Sequence, residues 1–170
     1  MGIRLTYRSA LPLLVMLVAG VLAANAAPRA RTITVRITLS SALGVNILVD
    51  SAGFPLYHDL REKKGEIHCV GACAEDWLPL LVNRRTKLVA GPGVKASELG
   101  TIKRPDGDVQ VTYNGLALYR FGGDTLPGQV NGQGAHRVWF AITPAGVVTT
   151  AGSAGPGTAN DGGAAPGYGY

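Results

Sequence analysis

Alternating hydrophobic and polar positions along much of the chain predict a mainly β fold. Residues 32–39 place apolar side chains, mostly β-branched, at every second position, which is the pattern of a strand with one buried face. No stretch carries the period of an amphipathic helix of about ten or more residues, so only short helical turns are expected, near 74–77 and 96–99. Further short strands are predicted at 45–50, 54–58, 109–113, 116–121, 138–143 and 147–150.

Two turn sequences predict how neighbouring strands are joined. Asn114-Gly115 between two apolar runs is the strongest short signal of a β-hairpin. Both residue types tolerate the positive φ angle that such a turn requires. Earlier in the chain, residues 50–53 (Asp-Ser-Ala-Gly) have the composition of a turn. We therefore predict a hairpin at each of these two places.

The same pattern of residues occurs twice, 62 positions apart. Tyr57 corresponds to Tyr119 and Trp77 to Trp139, and the Tyr-to-Trp spacing is 20 in both copies. A fixed-period similarity of this kind indicates one supersecondary unit used twice. Val49, Gly53, Leu56 and Glu62 likewise correspond to Val111, Gly115, Leu118 and Asp124.

The repeat predicts the domain organisation. We expect one domain over residues 32–150, built from repeat one at about 45–82 and repeat two at about 104–147. The two copies are predicted to be pseudo-symmetric and to pack together as one small sandwich or barrel. Residues 151–170 consist mostly of Gly, Ala and Pro, and this composition predicts a disordered tail.

The first 26 residues resemble a secretory signal peptide. Arg4 and Arg8 give a positive start, residues 10–21 are mostly apolar, and small residues surround a predicted cleavage after Ala26. The alternative is an uncleaved membrane anchor, but the apolar run is short against the roughly 20 residues that a span needs. We therefore expect a secreted or envelope-associated protein with no membrane span after cleavage.

The charge of the chain argues against nucleic acid as a partner. The formal net charge is +5, and the basic residues occur as scattered pairs. A nucleic-acid interface would concentrate them in one patch or stripe. The oligomeric state and any envelope ligand are not specified by the sequence.

Cys69 and Cys73 are the two cysteines of the chain. In an exported protein an even cysteine count favours a disulfide. The alternative is a metal or thiol-redox site with His58 and His68 as further ligands. The Cys-x3-Cys spacing differs from the Cys-x2-Cys of common thiol oxidoreductases, and no cofactor is expected.

Two tyrosine–acid combinations are the remaining candidates for a site. Glu62 follows Tyr57 by five residues, and Asp124 follows Tyr119 by five residues. A structural role, in which the acid accepts a hydrogen bond from the tyrosine hydroxyl or from turn N–H groups, is one interpretation. The other is a ligand groove lined by both pairs together with Phe121.

The second copy resembles a known bacterial family. The stretch from Arg104 to Asp124 carries Tyr-x-Phe-x-x-Asp at Tyr119, Phe121 and Asp124, and a glycine-rich segment and Val-Trp-Phe follow it. This stretch resembles the bacterial secreted-repeat family of unknown function, predicted lipoproteins with a Tyr-x-(Phe/Trp/Tyr)-x-x-Asp motif. The resemblance implies export and tandem repeats, and it supplies no activity.

The first copy resembles the other half of that family and departs from it in three ways. Asp59 stands where the motif has an aromatic residue, and Glu62 stands where it has Asp. Trp77 is followed by Leu-Pro where the family has Pro-Pro. A lipid-anchoring cysteine is absent near the predicted cleavage position, so lipoprotein status is not implied.

These observations favour an exported, non-enzymatic binding module of the cell envelope or extracellular space. Common hydrolase and metalloprotease motifs are absent from the sequence, so an enzyme is not expected; the weakest alternative is an enzyme acting on envelope polymers near His136. The other alternative is a metal-handling or thiol-redox protein centred on His68, Cys69 and Cys73.

Overall fold

The computed structural model describes residues 1–2 and 31–146. The predicted signal peptide beyond Gly2, the predicted strand at 147–150 and the predicted tail at 151–170 lie outside the described residues. None of the helices within the described residues is long and apolar enough to cross a membrane.

Strands are the main regular secondary structure of the described chain. The strands in chain order are β1 Arg31–Ser40, β2 Val45–Val49, β3 Tyr57–Asp59, β4 Trp77–Pro79, β5 Leu81–Val82, β6 Thr86–Ala90, β7 Leu99–Lys103, β8 Val109–Tyr113, β9 Leu116–Ala117, β10 Tyr119–Phe121 and β11 Trp139–Ala141. One short helix, α1 (Ala72–Asp76), and two 3₁₀ turns, Ala96–Glu98 and Ala135–Arg137, accompany them.

The strands form three sheets within residues 31–146. The first has the order β2-β1-β6, in which β1 pairs antiparallel with β2 through residues 36–40 and parallel with β6 through residues 31–35. The second has the order β11-β3-β10-β4, and the third the order β5-β8-β7 with β9 against β8. The sheets pack on one another and do not close into a barrel.

The predicted hairpin at Asn114-Gly115 is confirmed. Asn114 has φ 50° and Gly115 has φ 78°, which is the left-handed backbone that a two-residue turn of this kind requires. β8 and β9 pair across it, with Tyr113 opposite Leu116. The predicted return strand is divided at Leu118, which lies between β9 and β10.

Two apolar clusters lie on opposite faces of β2. Alternate residues of β2 point into different clusters, with Ile47 and Val49 in one and Leu48 in the other. This arrangement buries the strand on both faces. The first cluster also contains Tyr57, Trp77, Tyr119 and Trp139, and the second also contains Val35, Leu56, Val111, Tyr113, Leu118 and Ile142.

The mainly β fold is therefore confirmed, whereas four strands, β4 to β7, were not expected. The longest of these, β6 and β7, are half-buried along most of their length, and neither contains a fully buried residue. The alternation of buried and exposed positions that identifies a strand is consequently weak. Gly100 interrupts the apolar pattern of β7 further.

Candidate functional site

Tyr57 and Tyr119 lie opposite each other at the centre of the second sheet. β3 and β10 run antiparallel with these two residues as partners. On the outer side of each strand, Tyr57 faces Ala141 and Tyr119 faces Pro79. The two facing positions, 141 and 79, differ by 62, as the two tyrosines do. The strand pairing in this sheet therefore follows the period of the sequence.

In the strands that precede the two tyrosines, β2 and β8, the structural match between the copies is shifted by one residue from the sequence period. The Leu56 amide donates to the Leu48 carbonyl, and the Leu118 amide donates to the Val111 carbonyl. Leu48 thus takes the place of Val111, and the alignment of Val49 with Val111 is wrong. Leu56 is eight residues after Leu48, whereas Leu118 is seven residues after Val111. The connection in the first copy is therefore one residue longer.

Each tyrosine hydroxyl is held by the acid of the other copy. The Tyr57 hydroxyl donates to Asp124 Oδ2 at 2.7 Å, and the Tyr119 hydroxyl donates to Glu62 Oε1 at 2.8 Å. All four residues are buried, with 4 % or less of their surface exposed. We call these four residues the crossed clamp. Each acid bonds the tyrosine that lies far from it in sequence, not the one five residues before it.

Backbone N–H groups complete the coordination of both acids. Asp124 Oδ1 accepts the Asn131 amide at 2.8 Å, and Glu62 Oε1 accepts the Cys69 amide at 2.9 Å. Positions 69 and 131 again differ by 62. Glu62 Oε1 additionally accepts the His68 amide at 2.7 Å. Both acids therefore fix the loop that follows them as well as the tyrosine across the sheet.

Burial changes the proton affinity of the clamp. It raises the pKa of the Tyr57 hydroxyl, and the hydrogen bond to Asp124 raises it further. Burial and the neighbouring Glu62 likewise raise the pKa of Tyr119. Burial also raises the pKa of the Asp124 carboxyl, although the hydrogen bond from Tyr57 counteracts this effect. The protonated forms of these three groups are favoured because each would otherwise carry a poorly solvated negative charge.

The two tryptophans meet between the tyrosines. The Trp77 and Trp139 rings are stacked with centroids 3.9 Å apart and planes 3° from parallel. Tyr57 contacts Trp77 edge-on at 5.6 Å, and Tyr119 contacts Trp139 edge-on at 5.1 Å. Both tryptophans are buried, so the prediction that they fill a shared core is confirmed.

The aromatic position of the motif differs between the copies. Phe121 packs against Trp77 with ring centroids 4.5 Å apart. Asp59 stands at the equivalent place in the first copy, where it is fully buried and receives a 2.6 Å ion pair from Arg61. A buried carboxylate is tolerated here because the arginine donates to both of its oxygens.

His58 lies beside Glu62 in the interior. Its Nδ1 is 3.1 Å from the Ala117 carbonyl, and its Nε2 is 3.0 Å from the Glu62 carbonyl. A neutral imidazole has one N–H and donates to only one of these oxygens. Glu62 Oε2, buried without a hydrogen-bond partner among the described residues, is 4.0 Å from His58 Nδ1.

Arg104 connects the second copy to the disulfide loop. Its guanidinium is 2 % exposed and donates to the Cys69 carbonyl at 2.8 Å. It also donates to the Gln110 side chain and to Asp106. Gln110 in turn donates to the Leu118 carbonyl at 2.8 Å. This buried network was not predicted, because nothing in the local sequence distinguishes Arg104 from the surface cations.

Cys69 and Cys73 form the predicted disulfide. Both sulfurs are joined, so neither is a free thiolate ligand in this state. His58 is buried between two carbonyls, and His68 is on the surface with Glu66 at 3.6 Å. Among the residues that the structure describes, no group of three or more potential ligands could hold a metal ion.

A cleft of about 320 Å³ lies on the β1–β2 ladder. Two of its lining residues, Ile47 and Val49, belong to the first apolar cluster together with Tyr57. Its floor includes side chains of the β1–β2 ladder, where Arg36 pairs with Val49 and Thr38 with Ile47. Gly53 and the Pro127–Gly128 segment form a wall. The residues that line the cleft are Arg36, Ile37, Thr38, Leu39, Ser40, Ser41, Ile47, Val49, Gly53, Pro127 and Gly128.

The fold is mainly β, and comparison with known proteins finds one family similarity. Residues 100–143 match the family model Lipoprotein_15, a secreted repeat of unknown function. The resemblance recognised in the sequence is thereby confirmed for the second copy, and the family description supports an extracytoplasmic location. No curated protein and no solved structure matches the chain.

The structure brings four of the five sequence-predicted binding residues into one hydrogen-bonded arrangement. Tyr57, Glu62, Tyr119 and Asp124 bond across the two copies, and Phe121 packs nearby on Trp77. Their polar atoms face one another in the interior. The ligand groove at these residues stays a prediction.

Proposed function

We propose that this exported protein is a non-enzymatic binding module whose ligand occupies the cleft on the β1–β2 ladder. One observation carries the proposal: the lining offers one cation, Arg36, and the hydroxyls of Thr38, Ser40 and Ser41, and it contains no carboxylate. The remaining side chains that line it are mostly apolar. This combination suits a small molecule with an anionic group and a short apolar portion. The volume of about 320 Å³ is at the lower end of small-molecule sites.

The family motif supports the proposal by fixing one wall of the cleft. Asp124 accepts the Asn131 amide and so closes the loop that contains Pro127 and Gly128. Within this loop the Gln129 side chain accepts the Leu126 amide at 2.8 Å. The Gly128 amide donates to the Gly53 carbonyl at 3.1 Å and ties the loop to the first copy. A wall held in this way costs little ordering on binding.

A series of eight-carbon compounds tests the proposal. Octanoate supplies both the anionic and the apolar part, whereas octanol lacks the charge and octylamine reverses it. We expect octanoate to shift the amide resonances of Arg36, Thr38 and Gly128, with weaker effects of octanol and none of octylamine. Arg36→Gln should weaken octanoate binding by about 10- to 100-fold, because a hydrogen bond to a charged group contributes about 1.5–3 kcal/mol.

Arg31→Gln is the matched control for that variant. Arg31 is an exposed arginine on the same strand and does not line the cleft, so octanoate affinity should be unchanged. Equal losses in the two variants would mean a general charge effect and would overturn the assignment. Resonance shifts confined to residues outside the cleft would overturn it as well.

Thiol-redox chemistry at Cys69 and Cys73 is the second candidate. Its support is accessibility: Cys73 is half-buried, and Val70, Gly71 and Ala72 between the cysteines are exposed. An external thiolate would therefore reach Cys73 before the buried Cys69. Protein secreted by its own host and alkylated at harvest tests this candidate, which requires a reduced fraction; fully oxidised protein would reject it.

A further inference from the structure

Four aromatic rings form an unbroken path through the core. The order is Tyr57, Trp77, Trp139 and Tyr119, with successive centroid distances of 5.6, 3.9 and 5.1 Å. The central pair is parallel and stacked, and the two outer contacts are edge-on. Each ring is at most 4 % exposed. Adjacent rings in direct contact allow an electron to move between them in short steps.

Each end of the path is a phenol bonded to a buried carboxylate. The two hydroxyl-to-carboxylate distances are 2.7 Å for Tyr57 and 2.8 Å for Tyr119. Loss of an electron makes a phenol strongly acidic, so its oxidation requires a base within hydrogen-bond reach. Tyr113, the other described buried tyrosine, donates to the Pro144 carbonyl and also has the Glu98 carboxylate nearby, but it belongs to the second apolar cluster and is not part of the four-ring path.

We propose that Trp77 and Trp139 together with Tyr57 and Tyr119 form a one-electron relay that goes beyond the binding function. An outer-sphere one-electron oxidant takes an electron from the tryptophan pair and is itself reduced. Tyr57 or Tyr119 then returns one electron to the tryptophan radical cation, and its phenolic proton moves to Asp124 or Glu62. The product is a neutral tyrosyl radical beside a carboxylic acid, so charge and protons balance. A one-electron reductant reverses the step, and the carboxylic acid returns the proton.

The carboxylates that bind the loop amides are also the acceptors for the two phenols. A buried phenol needs one hydrogen-bond acceptor, and at Tyr57 and Tyr119 that acceptor is a group that can take up a proton. A buried carboxylate adds a desolvation cost, and the chain has placed one at both ends of the path. Burial raises the pKa of the Asp124 carboxyl, which favours proton transfer from the oxidised Tyr57 to this group.

Flash photolysis with a ruthenium polypyridyl photosensitiser and an irreversible quencher tests the relay in the full chain. We expect a tryptophan radical that decays as a tyrosyl radical appears, at a rate independent of protein concentration. The Tyr57→Phe/Tyr119→Phe double variant should retain the tryptophan radical and lose this conversion. Tyr113→Phe is the matched control and should behave as the unmodified protein. Asp124→Asn combined with Glu62→Gln should slow the conversion about 100-fold, the low end of what a positioned base contributes.

Two results would overturn the relay. One is an unchanged tyrosyl yield in the Tyr57→Phe/Tyr119→Phe variant, because the radical would then come from other tyrosines. The other uses the unmodified protein and so does not depend on the folding of any variant. Proton transfer coupled to electron transfer predicts a slower conversion in D2O than in H2O, and equal rates would contradict the mechanism.

Discussion

Removal of the Cys69–Cys73 disulfide should destabilise the protein by a small and calculable amount. The bond closes a loop of five residues, and the chain-entropy relation gives about 2 kcal/mol for a loop of this size. The loop is also anchored independently of the sulfurs. The Cys69 amide donates to Glu62 and its carbonyl accepts from Arg104. The Cys69→Ala/Cys73→Ala variant keeps both anchors, so the loss should not exceed the loop-closure value.

Urea unfolding monitored by tryptophan fluorescence measures this cost. Both tryptophans are buried in the first apolar cluster beside Cys69, so their emission reports the global transition. A loss of about 2 kcal/mol is expected, within a total stability of about 5–15 kcal/mol for a domain of this kind. Native-state hydrogen exchange should in addition show faster exchange in α1, by up to about 30-fold if the loss is local.

Two outcomes would refute this reasoning. A cost near zero would mean that the Glu62 and Arg104 anchors already restrain the loop in the unfolded ensemble or that the bond is strained. A cost above about 4 kcal/mol would exceed the loop-closure value and would mean that the disulfide supports the aromatic core itself. Reduction of the unmodified protein breaks the disulfide but keeps both cysteine side chains. Its unfolding free energy therefore separates the effect of losing the bond from the effect of losing the sulfur atoms.

Three further results are expected. The pKa values of Tyr57 and Tyr119 are raised in the folded state. The stability that the two hydroxyls contribute is therefore fully present below about pH 10 and is lost as the pH rises through their folded pKa values. Ultraviolet titration should show two tyrosines that ionise late or only on unfolding. The pKa of the Asp124 carboxyl is raised. Its contribution to stability is therefore fully present below about pH 4 and declines as the pH rises through the folded pKa. Urea midpoints measured across this pH range should lose the decline in the Asp124→Asn variant. Gly132→Ala should destabilise the protein by about 1–3 kcal/mol in urea unfolding, because the added Cβ would lie 2.9 Å from the Trp77 ring.

Each of these expectations has a contrary result. Tyrosines that all titrate near pH 10 in folded protein would mean that the hydroxyls are solvated. A pH profile unchanged by Asp124→Asn would assign the decline to other groups. Gly128→Ala is the control for Gly132, since its Cβ would meet open space and only its φ of 81° opposes the change. A larger loss at Gly128 than at Gly132 would contradict the packing argument.

Local features of the fold could be predicted because their signals are local. The Asn114-Gly115 turn was predicted from two residues, and its backbone angles agree. The disulfide was predicted from the cysteine count and the expected compartment. The burial of Trp77 and Trp139 followed from their repetition at a fixed period and from the apolar character of the indole ring.

The partners within the clamp could not be predicted, because they depend on how the copies pair. The sequence places each tyrosine five residues before the acid of its own copy, and that spacing suggested a local bond. The antiparallel pairing of β3 and β10 instead directs each hydroxyl to the acid of the other copy. The cleft was missed for a similar reason, since Arg36 and Gly128 are far apart in sequence.

Crossed double-mutant cycles test the central claim, that each tyrosine is held by the acid of the other copy. The single changes are Tyr57→Phe, Tyr119→Phe, Asp124→Asn and Glu62→Gln, and urea unfolding gives each free energy. We predict coupling of about 0.5–3 kcal/mol for Tyr57 with Asp124 and for Tyr119 with Glu62. The same-copy combinations, Tyr57 with Glu62 and Tyr119 with Asp124, should be additive within about 0.5 kcal/mol. Coupling within the copies and additivity between them would contradict the account.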